Sequence, residues 1–547
     1  MDQIMVTTNG TLTTSIGLCA KDASVQVIKD FLSLFYIMSP METTKDNPYD
    51  VPDYEVTLTP VVGILVLLEQ LIRYFQRKDL SRFQDYIINA GSAIIFTLMR
   101  VFLLTTSVTI FTLIYENYRL LDLPLHSVWT WIISLLLVEF TYYWTHRALH
   151  EFNILWAAHQ FHHMAEDVNI TTTIRDSVVD LFIYAVFPLP LAIFVPPPIL
   201  LVHVQFSLIY QVWLHNSVIG NLGFLEYVIN TPRQHRVHHG KNPYCIDKNY
   251  GALIMIWDRM FGTHQTEKES IVFGVVSPTP ETYDSMILQF GYYRDVWHKF
   301  QTVDGLGNKL SALFKGPGWM PGKPRLGDIK DVPEPDRTLP KYSWDPYIPM
   351  WKKCYVAIHG IVIVLGFYIL AEHPYIRFSP EKGLLAILYI IYILTSFGAI
   401  FDNRSWTAPL EITRCLAYFL FDYFLIESVN WKVGPAQYTM VQVLMWSIRL
   451  LHIISIVVWC VYSCRQCSAH NKSVAEDTTQ YTIVDKSGGG GGKDVESETS
   501  SVLQQNSIKV MAIIAFLMLT SIPFGIAFMV RLNSCIKMFN DFYYLIF

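Results

Sequence analysis

Apolar residues in this chain come in runs near twenty residues long, the length an α-helix needs to cross the hydrocarbon core of a bilayer. The first run is Thr57 to Phe75, and others follow at about Ile87 to Leu113 and Val128 to Thr145. Two shorter stretches, Val178 to Phe194 and Ile199 to Leu214, are divided by Pro196, Pro197 and Pro198, which predicts a hairpin. Pro188 and Pro190 inside its first arm make a re-entrant pair nearly as natural as two full crossings. A polar, proline-dense connector follows, and then a second apolar half with runs near Tyr355 to Ala371, Leu384 to Phe401, Ile412 to Val429 and Val441 to Cys460. The pattern predicts an all-α, polytopic integral membrane protein. Its expected parts are an N-terminal segment over 1–56, a membrane domain over 57–263, a cap or linker over 264–350, a second transmembrane domain over 351–465, a disordered polar tail over 466–508 and an extra apolar segment over 509–547.

Composition agrees. Of 547 residues, 52% are hydrophobic and only 16% charged, below the quarter or so usual for soluble domains. A net charge of -5 offers no continuous positive surface, so nucleic acid is excluded as a partner. Eight scattered cysteines form no disulfide framework. The first residues lack a basic and then apolar leader, so insertion is expected to use an internal helix. Between Arg73 and Arg82, at the end of the first run and just beyond it, lie Arg73, Arg77, Lys78 and Arg82, whereas the connection Glu116 to Leu125 holds only Arg119. The excess of basic residues puts the former in the cytosol, and with it the segments after Thr145 and after Leu214.

Chemistry enters with histidine. An even spread of the seventeen would put about three in His146 to His239, yet that stretch holds ten. They form HRALH (His146, His150), HQFHH (His159, His162, His163), a lone His215 and HRVHH (His235, His238, His239), with His203 alone in the hairpin. On a helix, residues three and four apart share a face, so each motif is expected to aim two or three imidazoles at one point. Eight or nine such ligands are twice what one tetrahedral zinc accepts, which predicts two metal ions, with di-iron and di-zinc both open. A zincin protease motif is excluded, because His150-Glu151 is followed at position 154 by isoleucine. His203 is expected to be a packed side chain, and histidines outside the cluster, His359 and His452 among them, have no spacing partner. A divalent-metal transporter would need polar residues along several runs, whereas these sit at one interface.

Two carboxylates are candidate catalytic residues. Glu139 lies seven residues before His146 inside an apolar run, where an acid is costly enough to suggest function, and Glu151 adjoins His150. Either could accept the second N–H of a ligand imidazole, and Glu166, Asp167 and Asp247 could do likewise.

At these motifs the chain resembles the membrane-bound fatty acid hydroxylase superfamily, whose pattern H-x3-H, H-x2-H-H, H-x2-H-H is matched position by position. YYWTHRALHE, HQFHHMAED, TPRQHRVHHGKNPYCIDKNYG and IWDRMFGT are most similar to its glyceryl-ether-cleaving members. The glycine-rich tail and final apolar run depart from that pattern. The resemblance implies a non-haem di-iron monooxygenase of the endoplasmic reticulum membrane, its site facing the cytosol, using tetrahydrobiopterin and dioxygen. His146, His150, His159, His162, His163, His235, His238 and His239 match the metal-binding motifs, with His215 an additional candidate. The implied substrate is an alkylglycerol, hydroxylated at its ether-linked carbon to a hemiacetal that collapses to a fatty aldehyde and glycerol or a lysophospholipid. The competing expectation is another lipid hydroxylase or desaturase acting on a sterol or sphingolipid.

Overall fold

The structure is a computed structural model that describes residues 26, 28–372, 380–423 and 435–480. The Gly488 to Gly492 tract, the last apolar run and the end of the Ile412 to Val429 run lie outside the described residues. Among the described residues there is no β-strand, only two isolated bridges, Ile229 with Ile254 and Gly240 with Phe273. The chain divides into two units. Among the described residues, one holds those up to Pro280 with Leu288–Ser343, and the other holds Glu281–Ile287 with those from Trp344 to Gln480.

In the first unit, α1 (Tyr54–Phe75) starts where Asp53 accepts the Val56 N–H at 3.2 Å, satisfying one of the free donors of a helix start. Next come α2 (Phe83–Tyr118), α3 (Val128–Glu151) and α4 (Asn153–His163). A single extended residue, Phe152, separates α3 from α4, so the chain turns sharply between the first two histidine motifs. The turn is tied to α9 (Leu306–Phe314), because the Asn153 side chain donates to Ala312 O at 2.9 Å and its N–H to Lys315 O just beyond the helix at 2.8 Å.

Of the hairpin's two arms, only Pro197–Leu214 is long and apolar enough to cross a membrane. α5 (Val178–Val186) opens with a capping box in which Ser177 and Asp180 bond each other's backbone, and it stops at Val186. Pro188 and Pro190 have no N–H to continue it, and the chain goes on as a 3₁₀ turn over Leu189–Ile193 before α6 (Pro197–Gln211). Phe111, Val138, Leu191, Ala192, Val195 and Leu200 pack together there. In lipid such packing stabilises through close fit rather than expulsion of water. α7 (Pro232–His238) carries the third histidine motif, and α8 (Ile256–Met260) follows it.

Four helical segments among the described residues are long and apolar enough to cross a membrane: Pro48–Phe75, Pro197–Leu214, Glu381–Phe401 and Gln442–Gln466. Helix α2, bent by 46°, makes a fifth where its two halves, Phe83–Arg100 and Leu103–Tyr118, count as one span. The expected run Val128 to Thr145 does form a helix but is not among them, since Glu139, Thr141 and the tyrosines beside it dilute its apolar character. Arg73, counted above as a loop charge, is buried and donates to Asp167 at 2.9 Å and Glu69 at 3.2 Å.

The second unit contains α10 (Met350–Glu372), α11 (Pro380–Phe401), α12 (Thr407–Phe421) and α13 (Pro435–Gln480). Helix α13 continues through the start of the polar stretch that begins at Ser468. Inside this unit Glu411 and Arg414 are both buried and bond each other at 2.8 Å, and Glu411 also accepts from Tyr355 and Ser396.

Candidate metal centre

The break at Phe152 lays the end of α3 against α4, and α7 brings in the third motif. All nine histidines singled out by sequence are buried, and they meet in two groups. His146, His150, His159, His163 and His238 form one, and His162, His215, His235 and His239 the other, with the candidate ligand atoms of each group within 4.8 Å of one another. The expectation that each motif aims at a single point needs correcting. HQFHH sends His159 and His163 to the first group and His162 to the second, while HRVHH sends His235 and His239 to the second and His238 to the first. Neighbouring helical residues project about 100° apart, so His162 and His163 cannot share a focus, whereas partners four apart can. The groups adjoin, with the His163 and His239 ring centroids 4.4 Å apart.

Protonation is fixed where a ring faces a carbonyl, which can only accept. His146 Nδ1 lies 2.8 Å from Tyr250 O, His238 Nδ1 2.9 Å from Lys248 O and His215 Nδ1 2.9 Å from Gln211 O. Each Nδ1 therefore carries the proton, and each Nε2 offers a lone pair inward. His215 Nε2 is 3.1 Å from His162 Nε2 and 2.9 Å from His235 Nε2, which is itself 3.1 Å from His239 Nε2. One proton on His235 cannot serve both neighbours. A cation about 2.1 Å from each nitrogen would resolve the conflict, and adjacent ligands around it stand about 3 Å apart. The buried Nε2 atoms of His150, His163 and His238 have no protein hydrogen-bond partner, which is what unfilled ligand positions look like.

Burial also removes the alternative of charge. It holds His159 at about 3 and His215 at about 4, and holds His162, His163, His235, His238 and His239 well below the ordinary imidazole range, with neighbouring histidines adding to the effect in those five. Neutral imidazoles are the form that binds metal. A buried, all-nitrogen set of five and four fits a di-iron site.

The two candidate catalytic acids are placed differently from expectation. Glu139 accepts from the Ser207 hydroxyl at 2.7 Å and the Leu253 N–H at 2.8 Å, and Glu151 pairs with Arg147 and Arg325, so neither takes an imidazole N–H. Asp167 is engaged with Arg73, Ser81 and Lys341, and Glu166 with the Ser343 N–H. The acids nearest the histidines are Asp176, 3.5 Å from His162 Nδ1, Asp180, 3.8 Å from His159 Nδ1, and Asp247, 3.9 Å from His150 Nδ1. Asp176 and Asp180 went unnoticed in the sequence, where Ser177-x-x-Asp180 reads simply as a helix start and Asp176 as the polar residue before it. His203 is a packed side chain, between Tyr36 Oη at 2.7 Å and Trp131 O at 2.9 Å.

Comparison with known proteins places this site in a family. The fatty acid hydroxylase family matches residues 131–263, which contain all nine histidines, and the alkylglycerol monooxygenase C-terminal domain matches residues 352–433. The chain is 40% identical over 408 residues to alkylglycerol monooxygenase of Xenopus tropicalis, covering 74% of this chain and 91% of that protein. It is 38% identical over 448 residues to alkylglycerol monooxygenase of Homo sapiens, covering 82% and 97%. The ornithine lipid hydroxylase OlsE of Rhizobium tropici is 33% identical over 134 residues, 24% of this chain and 40% of that protein. No solved structure matches the chain.

Proposed function

This chain belongs to the alkylglycerol monooxygenase family, and from that membership we propose that it oxidises alkylglycerols at the ether-linked carbon, with tetrahydrobiopterin as reductant, at the cytosolic face of the endoplasmic reticulum membrane. The observation that carries the reading is the meeting of nine buried histidines in two adjoining groups. His146, His150, His159, His163 and His238 would hold one iron, and His162, His215, His235 and His239 the other. The pair, when bound, supplies activation of dioxygen.

The protein's share is positioning. The carbonyls of Tyr250, Lys248 and Gln211 fix three imidazoles with their lone pairs inward, and burial keeps the set neutral and away from bulk water. One oxygen atom becomes a hydroxyl on the ether carbon, and the other leaves as water with two electrons and two protons from the pterin. The resulting hemiacetal then breaks its C–O bond. The ether oxygen keeps the electron pair and takes the hydroxyl proton, giving glycerol or a lysophospholipid, and the carbon leaves as a fatty aldehyde. An alkyl chain suits a site that adjoins an apolar helix, since His215 follows directly on the candidate span Pro197–Leu214. The cytosolic orientation is supported by Arg77, Lys78 and Arg82 after α1 against the single Arg119 after α2. Tetrahydrobiopterin rests on family likeness alone.

The test is solubilised protein supplied with alkylglycerol and dioxygen, with iron measured per chain. About two irons and aldehyde release that depends on tetrahydrobiopterin are expected. Equal turnover with reduced cytochrome b5 would transfer the chain to the sterol or sphingolipid type of hydroxylase or desaturase.

A further inference from the structure

The segment Ile256–Thr263, IWDRMFGT, belongs to the family likeness yet supplies none of the nine histidines. At its centre Asp258 is fully buried. Its Oδ1 accepts the Tyr250 N–H at 2.8 Å and the Thr263 hydroxyl at 2.7 Å, and its Oδ2 accepts the Gly251 N–H at 2.8 Å. The Gly251 N–H and the Tyr250 carbonyl are the two ends of one peptide unit. In a trans peptide they point in opposite directions, so an anchor on the N–H aims the carbonyl the other way. That carbonyl accepts the Nδ1 proton of His146 at 2.8 Å.

Asp258 therefore stands at the far end of a relay that runs from carboxylate through the Tyr250–Gly251 peptide to imidazole. The same loop presents Lys248 O to His238 at 2.9 Å. It passes through Asp247 and Asn249 at φ of +57° and +58°, a conformation that needs outside support in residues other than glycine. Asn249 supplies part of that support, donating to Gln234 O at 2.9 Å and Gln265 O at 2.7 Å. Gly251 admits no side chain, since a Cβ there would lie 2.9 Å from Asp258 Oδ2 and 2.7 Å from Ile254 O. The backbone comes this close only because the carboxylate sits directly beneath it.

We propose that Asp258 is a positioning residue for the first histidine group, acting through the Tyr250–Gly251 peptide to hold the His146 ring and, by the same loop, His238. A carboxylate on the N–H side also makes the carbonyl a stronger acceptor, which raises the basicity of the His146 lone pair. The proposal rests on the metal reading of the site above.

The experiment titrates metal-free, full-length protein with Co(II) and follows its ligand-field absorption, which reports each site apart from turnover. Wild type should bind in two steps. Asp258→Asn sets an amide donor against one of the two backbone N–H groups and removes the charge, and should weaken one step by about 10–100-fold while leaving the other in place. General destabilisation would not divide the two sites in this way. If Asp258→Asn yields no folded protein, Thr263→Val, which removes one bond to the carboxylate, decides the matter through a several-fold weakening of the same step. Wild-type binding in both steps, in whichever variant is folded, overturns the relay. No Co(II) binding by wild type overturns the metal reading itself, and the relay with it.

Discussion

His215 and His235 face each other Nε2 to Nε2 at 2.9 Å, although twenty residues separate them and only His235 belongs to a spaced motif. Because His215 gives its Nδ1 proton to Gln211 O, its inward nitrogen can only be a lone pair, and it needs something between the rings. The lone histidine is thus equal in standing to the patterned eight.

Removing one histidine from each group follows directly. His238→Ala takes a ligand from the group of five, and His215→Ala one from the group of four. Each is expected to lower iron from about two to about one per chain and to abolish ether cleavage, since the chemistry needs both ions. Iron analysis of the purified variants, alongside aldehyde release, checks this, and full turnover in either would contradict the assignment.

His203 makes the opposite case. Its ring bridges Tyr36 and the Trp131 carbonyl, with Trp131 edge-on at 4.4 Å between centroids, and it belongs to neither group. His203→Ala should leave iron content unchanged but lower stability by about 1–3 kcal/mol, the cost of stranding buried polar partners. Iron loss in this variant would mean the ring does more than pack.

These two outcomes mark how far the sequence could be read. Offsets of four residues in HRALH, HQFHH and HRVHH placed pairs of imidazoles on common faces, and those pairs do stay in one group. That each H-x-x-H-H motif divides follows from the helical angle, but which group each part joins depends on how α4 and α7 turn about their axes, which packing decides. The carbonyls that orient His146, His215 and His238 left no trace in residue type, because every residue has one. Glu139 looked functional as a lone acid in an apolar run, but its oxygens are taken up by Ser207 and the turn at Leu253. His359 and His452 had no partner within reach along the chain, yet their rings stand 5.2 Å apart across α10 and α13.

Acid should weaken the metal-free protein in a defined window. Burial holds His159 at about 3 and His215 at about 4, whereas in the unfolded chain both titrate near 6.5. Below about pH 6.5 the unfolded state takes up protons that the folded state refuses, so stability falls as pH falls and goes on falling to the folded values. Denaturant midpoints of chelator-treated protein, measured from neutral pH downward, should decline steadily, and a flat profile would mean these rings protonate in place.

The second unit carries a buried charge pair that serves stability. Arg414 donates to Glu411 at 2.8 Å and to Tyr355 Oη at 3.0 Å, both charged residues are at most 1% exposed, and Ser396 adds a further bond to the carboxylate. Glu411→Gln leaves a buried guanidinium without its counter-charge and should cost about 3–5 kcal/mol, far more than an exposed pair. Replacing both with apolar residues of similar size, as in Glu411→Leu with Arg414→Met, removes the stranded charge along with its partner. The double variant is therefore expected to be more stable than Glu411→Gln alone. Unfolding of the solubilised protein in each background reads this coupling. A double variant no more stable than the single would show that the pair's hydrogen bonds to Tyr355 and Ser396, rather than its charge balance, hold these helices together.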